Sequence, residues 1–266
     1  MKPAGTILTA LIVFFWVAMN GLLVRRQLSV RRQDRYRLAV SEFLGSELRR
    51  ERWLGIYRKG RKIGYSGWSF EKVLGAEGFE FLTTLKSAIA LDVLGRDVPL
   101  EIQGSMVLDA DLRPKALRLD ALVAKNVRVE VAGKAEGERF RLEVRQGQVV
   151  LASLSAPREE LLLGDGLAPS LPVSGLRVGD SFSVPCFDPM TMSRSQAEVK
   201  VVRSEVREVE GLLTDVFELK TRYRNMESRS WVTSAGELLR QEFGPPLEDV
   251  VLRREARETA RRLPER

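Results

Sequence analysis

The chain of 266 residues contains no histidine and a single cysteine, Cys186. A Ser-His-Asp triad, a Cys-His dyad, a histidine-ligated zinc site and a histidine proton shuttle are therefore all excluded within this sequence. One cysteine also excludes an internal disulfide framework and a cysteine-built zinc site. We accordingly expect no cofactor, no resident metal and a protein that is not an enzyme.

The surplus of basic charge is confined to the amino-terminal part of the chain. Residues 1–62 hold 14 Lys and Arg against 4 Asp and Glu, which leaves −3 for the other residues of a chain whose net charge is +7. A basic segment next to an apolar one favours a membrane surface over a nucleic-acid partner, and we expect no nucleic-acid binding. The 44% hydrophobic and 30% charged content is typical of a folded chain.

An uncharged segment of 21 residues runs from Ala4 to Val24 and ends at Arg25-Arg26. A helix of that length spans the roughly 30 Å hydrocarbon core of a bilayer. The alternative is a cleaved signal peptide, whose apolar region is usually about 7–15 residues long. We predict an uncleaved anchor within residues 1–32. The expected membrane-spanning side chains are Ile7, Leu11, Phe14, Phe15, Trp16 and Leu22, and the expected membrane-surface cations are Arg25, Arg26, Arg31 and Arg32.

The orientation of this anchor has two interpretations. The positive-inside rule, applied to the arginines that follow the anchor, places the rest of the chain in the cytoplasm. Long domains, however, are translocated largely regardless of charge, and one apolar segment at the start of a chain is the ordinary export anchor. We expect a single-pass inner-membrane protein whose carboxy-terminal domain lies in the periplasm or outside, with the cytoplasmic face as the alternative.

Residues 33–52 are predicted to form a short juxtamembrane helix. Tyr36, Val40, Phe43, Leu44 and Leu48 follow the i, i+4, i+7, i+8 spacing of one helix face. That face could lie on anionic headgroups, or it could pack on the body as a stalk.

The pattern changes to period two from Trp53 onward, and turns that contain glycine recur at short spacing. We predict an all-β domain over residues 53–252, built as a curved antiparallel sheet, half-barrel or open barrel of roughly ten to thirteen strands. Possible halves are 53–154 and 176–252, because a segment rich in proline and glycine separates them. Residues 253–266 are predicted to be a charged helix or tail.

One hairpin can be predicted in full. Lys59-Gly60-Arg61-Lys62 offers a type II′ turn with glycine at the first central position. Trp53 would then face Trp68, and Tyr57 would cover Gly64. Two opposed tryptophans are either a packed pair or a platform for a ligand.

Three short motifs resemble catalytic or metal-binding sites but lack their context. Ser69–Lys72 fits the S-x-x-K nucleophile motif, yet it falls in a predicted strand where a helix is required. Asp109-Ala110-Asp111 begins like a calcium loop but is better explained as a turn. Cys186 has no histidine to activate it and is interpreted as an apolar side chain.

Several segments resemble an uncharacterised, membrane-anchored, β-rich bacterial envelope domain that some relatives carry ahead of a transglutaminase-like domain. The resemblance implies a curved antiparallel sheet, akin to the periplasmic half-barrels that carry lipoproteins or lipids, and it transfers no catalytic residue. The segments are Trp53–Tyr57 with Gly60–Tyr65, Leu176–Asp180, Val184–Pro189, and Ser230–Thr233 with Gly236–Arg240.

These observations favour a non-enzymatic envelope protein that acts as an interaction or scaffold module of a membrane-associated system. The alternative is a curved sheet that binds or carries a lipid or another apolar ligand, and a histidine-independent hydrolase is a minor alternative. The expected partners are the lipid bilayer, an envelope protein and a lipid or apolar ligand. The candidate ligand or partner surface consists of Trp53, Trp68, Ile89, Leu91 and Leu162.

Overall fold

The computed structural model describes residues 49–75, 78–93, 96–111, 113–124, 126–158, 175–188, 193–209, 211–223, 226–234, 236–245 and 247–263. Within these ranges the protein is all-β, as predicted, with 14 strands and one short helix. The strands are β1 (Arg49–Arg58), β2 (Arg61–Gly75), β3 (Gly78–Val93), β4 (Arg96–Leu108), β5 (Pro114–Val123), β6 (Val127–Glu136), β7 (Arg139–Gln146), β8 (Val149–Pro157), β9 (Ser181–Asp188), β10 (Ser193–Val209), β11 (Leu212–Tyr223), β12 (Met226–Thr233), β13 (Leu238–Phe243) and β14 (Val250–Arg254), and the helix is α1 (Arg257–Arg261).

All 14 strands belong to one open sheet in the order β8-β7-β6-β5-β4-β3-β2-β1-β14-β13-β12-β11-β10-β9. The described part of the chain thus has one strand more than the upper end of the prediction. Every neighbouring pair is antiparallel, and β1 pairs with β14 at the centre of the sheet. Among the described strands, β8 and β9 form the two edges of the sheet.

Antiparallel order also fixes which turns lie at which end of the sheet. We call the end at which β1 begins the proximal end, and the opposite end the distal end. The turns β2–β3, β4–β5, β6–β7, β10–β11 and β12–β13 are proximal, whereas β1–β2, β3–β4, β5–β6 and β7–β8 are distal.

The predicted register of the first hairpin is wrong. The two turn residues are Lys59 and Gly60, with φ of 51° and 78°, so both central positions are left-handed and the turn is of type I′. A bulge between Ile56 and Tyr57 shifts the register once more. As a result Trp53 pairs with Gly67, and Trp68 pairs with Arg52.

The predicted helix over residues 33–52 is also wrong at its end, because Arg49–Arg58 is a strand. The remainder of that helix and the predicted anchor at 4–24 lie outside the described residues. No helix among the described residues is long and apolar enough to cross a membrane. At the other terminus, β14 continues to Arg254, into the segment predicted as a helix or tail.

The two faces of the sheet differ in chemistry. We call the face that carries Leu54 and Ile56 the inner face, and the opposite one the outer face. Apolar inner-face side chains of β1, β3 and β10–β14 form the largest buried cluster, in which Val199 and Val201 are fully buried. Register shifts occur in five strand pairs, and such bulges bend and twist a sheet.

Candidate functional site

The inner face of β3–β8 is a continuous apolar surface. Cross-strand partners share a face, so the register places one set of side chains on it. From β3 to β8 these residues are Leu85, Ser87, Ile89, Leu91, Val98, Leu100, Ile102, Gly104, Met106, Leu108, Leu117, Leu119, Ala121, Val123, Val127, Val129, Val131, Gly133, Ala135, Phe140, Leu142, Val144, Ala152 and Leu154. None of them carries a charge.

The distal part of this surface is only half-buried, and we call it the apolar patch. It consists of Leu91, Val98, Leu100, Ile102, Leu119, Val123, Val127, Val129 and Val131. Leu91 and Val127 are each 38% exposed, whereas Val199 and Val201 on the same face of β10 are 0% exposed. The inner face is therefore closed around β10–β14 and open over β4–β6.

The proximal part of the surface is closed by packing. Phe70, Met106 and Leu108 are buried together, and the Phe70 ring stacks on Phe81 at 5.0 Å between centroids. Phe140 and Leu142 form a second small buried cluster on β7. The inner face is thus buried at the proximal end, and its more exposed apolar residues lie toward the distal end.

Gly104 forms a gap in the patch. It lies between Leu85 and Leu119 in a cross-strand row, and the atoms nearest to a Cβ built there are the Arg118 carbonyl oxygen at 3.2 Å and Cβ of Leu119 at 3.6 Å. By contrast, the Cβ position of Gly133 on the same face is occupied by the Phe140 ring and Leu142. Because glycine has no side chain, this cross-strand row is lower at Gly104 than at Leu85 and Leu119, and we call this dip the trough.

The outer face of the same strands is charged. Arg128 Nη2 lies 2.7 Å from Asp120 Oδ1, and Arg141 and Arg145 flank Glu143 at 3.4 and 2.5 Å. The hydrogen bond donated by Arg128, together with Arg118, lowers the pKa of the Asp120 carboxyl. Since these ion pairs are largely exposed, they keep the outer face in water and contribute little stability.

A second polar cluster holds the carboxy-terminal helix against β1 and β2. The Glu255 carboxylate accepts hydrogen bonds from the Tyr57 hydroxyl and from Lys62 Nζ, the latter at 2.6 Å. Lys62 also donates to the Thr259 carbonyl of α1. The bond to Glu255 raises the pKa of Tyr57, and burial adds to the effect. Every partner in this cluster is accounted for by the docking of α1, which makes its role structural.

The structure does not bring the five predicted surface residues together. Trp53 and Trp68 lie on opposite faces of the sheet: Trp53 is buried on the outer face, and Trp68 stacks on Phe70 on the inner face. Ile89 belongs to the large buried cluster, while Leu91 is exposed at the margin of the patch. Leu162 lies outside the described residues, as do the predicted anchor side chains and Arg25, Arg26, Arg31 and Arg32.

The central residues of the patch, such as Leu100, Ile102 and Leu119, were not among the predicted surface residues. Their signal in the sequence is an alternation of apolar and charged residues along the strands. In Pro114–Val123, for example, Leu117 and Leu119 alternate with Arg118 and Asp120. No group of three or more His, Cys, Asp or Glu side chains that could hold a metal ion occurs in the described ranges.

Comparison with known proteins gives a likeness among solved structures. No family model matches the chain, and no curated protein matches it. Among solved structures, the chain is similar to a β-barrel-like protein of the domain of unknown function DUF1849 from Brucella abortus. The two share 12% sequence identity at a TM-score of 0.46, over 77% of this chain and 94% of that one.

Proposed function

We propose that the protein is a non-enzymatic binding protein whose apolar patch holds the hydrocarbon chain of a lipid or another elongated apolar ligand. The observation that carries the proposal is the contrast within one face of the sheet. The same inner face is fully buried at Val199 on β10 and half-buried at Ile102 and Leu119 on β4 and β5. Apolar surface that the described strands leave uncovered is where an apolar ligand gains free energy by leaving water.

The chemistry of the patch indicates what part of the ligand it holds. No charged side chain lies on the inner face from Val98 to Leu108 or from Leu117 to Val131, so the patch offers a chain no ionic partner. Each methylene buried contributes about 0.8 kcal/mol. Binding should therefore depend on the length of the hydrocarbon more than on the charge of the headgroup.

The proposed setting is the bacterial envelope. The predicted anchor at 4–24 would hold the sheet at the inner membrane, with the sheet on the periplasmic side. In that setting we propose a half-barrel, because a sheet of this many strands curls and its bulges add curvature.

The test is photolabelling of the full chain in phospholipid nanodiscs with a fatty acid that carries a diazirine in its acyl chain. Mapping the labelled peptides by mass spectrometry should place the adducts on Leu100–Gly104 and Leu119–Val131. Adducts confined to other segments, with none on β4–β6, would contradict the proposal.

A matched pair of variants distinguishes binding at the patch from non-specific hydrophobic binding. Leu119 and Leu122 lie on the same strand but on opposite faces. Leu119→Gln should remove most of the adducts on β4–β6, whereas Leu122→Gln should leave them unchanged. Equal labelling of both variants would argue against a specific face.

The scaffold hypothesis keeps a specific observation in its favour. β8 is an edge of the sheet in the described part of the chain, and Val149, Val150 and Leu151 are 61%, 51% and 53% exposed on it. Natural edge strands are usually protected by charges, yet Val149–Pro157 contains none. Leu151→Lys should prevent a partner strand from pairing with this edge. The test compares affinity capture of an envelope partner by the full-length protein with and without this substitution.

A further inference from the structure

Two hairpins project from the proximal end of the sheet beyond the strands that flank them. β1 pairs with β2 only as far as Glu71, and β4 pairs with β3 only from Phe81, so the β2–β3 turn extends past both neighbours in the described register. In the same way β12 pairs with β11 only from Val216. At about 3.3 Å per residue, the β2–β3 tip lies roughly 10 Å beyond its neighbours, whereas the β10–β11 tip lies roughly 13 Å beyond β12 and roughly 30 Å beyond the described start of β9.

The tips of both hairpins carry exposed apolar side chains. Leu74 and Phe79 are 80% and 58% exposed, and they are cross-strand partners at the end of the β2–β3 hairpin. Leu212 and Leu213 are 71% and 80% exposed at the end of the β10–β11 hairpin. Side chains at the tip of a two-stranded ribbon do not contribute to the core, so burial in the sheet does not explain their chemistry.

The path of the chain indicates what these tips face. β1 begins at Arg49, which pairs with Glu71, three residues before Leu74. The chain therefore enters β1 at the proximal end, and the predicted anchor and its arginines precede this point in the sequence. A membrane held by that anchor would lie on the side of the projecting tips.

A cation next to the β2–β3 tip fits the same surface. Lys72 Nζ lies 4.4 Å from the centroid of the Phe79 ring. An apolar ring with an ammonium group beside it suits the boundary between acyl chains and phosphate headgroups, where a lysine keeps its charge in the polar layer. Apolar groups at such surfaces enter about 5–10 Å, close to the distance by which the β2–β3 tip projects.

We propose that the β2–β3 and β10–β11 tips form a membrane-docking surface, with Leu74, Phe79, Leu212 and Leu213 inserted at the headgroup boundary of the bilayer that holds the anchor. This surface lies at the opposite end of the sheet from the open part of the apolar patch and is independent of the proposed ligand binding. It would hold the sheet upright, with the patch opening away from the membrane.

The test measures the depth of single labels in the full chain. Cys186 is the one cysteine of the sequence, so Cys186→Ser provides the background for Leu74→Cys, Leu213→Cys and Val149→Cys, each labelled with an environment-sensitive fluorophore. Val149 is the matched control, because it is 61% exposed but lies at the distal end. The labelled chains are reconstituted in vesicles of phosphatidylethanolamine and phosphatidylglycerol.

Labels at 74 and 213 should emit at shorter wavelength than the label at 149, resist aqueous iodide and be quenched by doxyl-labelled lipid. If iodide quenches the labels at 74 and 213 as strongly as the label at 149, the proposed docking surface is wrong. Failure of the labelled chain to float with the vesicles would also overturn it. Photolabelling of the patch by the diazirine fatty acid is unaffected by either result, so failure of the docking surface and failure of the proposed ligand site can be told apart.

Discussion

The indole ring of Trp53 lies directly over Gly67 on the neighbouring strand, so that a Cβ built at Gly67 would be 2.5 Å from Cζ3 of the ring. The ring cannot easily move. Its Nε1 donates to Glu51 at 2.8 Å, Tyr65 packs against it at 5.8 Å, and the Arg257 guanidinium of α1 covers it at 5.5 Å. The glycine and the tryptophan are thus one packing unit at the centre of the sheet.

Gly67→Ala should therefore destabilise the fold even though alanine suits a strand better than glycine. The added methyl overpacks a held ring, which typically costs about 1–3 kcal/mol. Urea denaturation followed by tryptophan fluorescence measures the change. Gly104→Ala is the control, because its methyl meets one carbonyl at 3.2 Å and should cost less. Equal losses at both positions would show that the Trp53 contact has no special role.

The same pair shows why more of the fold than of the candidate site could be predicted from the sequence. Alternation along each strand and glycine turns such as Gly137 were enough for an all-β antiparallel fold, since they are local signals. The prediction that Trp53 faces Trp68 depended on register, and a turn shifted by one residue moves side chains to the other face. A sequence read one strand at a time cannot show that Ile102, Leu119 and Val131 lie side by side, because strand order and bulges decide that.

Tyr57 provides a prediction for alkaline pH. Its pKa is raised by the hydrogen bond to Glu255 and by burial, so the folded state holds the phenol proton longer than the unfolded state does. The stability that this bond provides is complete below the ordinary tyrosine pKa of about 10 and is lost as pH rises toward the folded pKa. In a near-ultraviolet absorbance titration of the four tyrosines, Tyr57→Phe should remove a component that ionises above the ordinary tyrosine pKa. If that component persists in the variant, the Tyr57–Glu255 bond does not hold in solution.

Glu255 should be the residue on which docking of α1 depends. Its side chain and that of Lys62 are each 11% exposed and lie 2.6 Å apart. Glu255→Ala would leave the Lys62 ammonium without its carboxylate in a largely dry site. Such a loss typically lowers the free energy of unfolding by about 3–5 kcal/mol when the charge is fully buried, and we expect a smaller loss at this exposure. We expect a clear loss in thermal stability and faster hydrogen exchange in α1. Glu258→Ala is the control, because Glu258 is exposed on the same helix, and a similar loss there would exclude a specific role for Glu255.

Gly104 separates ligand binding from stability at the apolar patch. Leucine at this position would project into the trough between Leu85 and Leu119. If a hydrocarbon chain occupies the trough, Gly104→Leu displaces one or two buried methylenes, each worth about 0.8 kcal/mol, and affinity for a long fatty acid should fall about four- to tenfold. Gly133→Leu is the opposite case, because it must expel the Phe140 ring and should cost stability. Fatty-acid titrations and urea denaturation of both variants in the full chain give four values. If Gly104→Leu loses affinity but keeps its stability, and Gly133→Leu loses stability, the ligand lies over β4 and β5. Unchanged affinity in Gly104→Leu would show that the ligand does not occupy the trough.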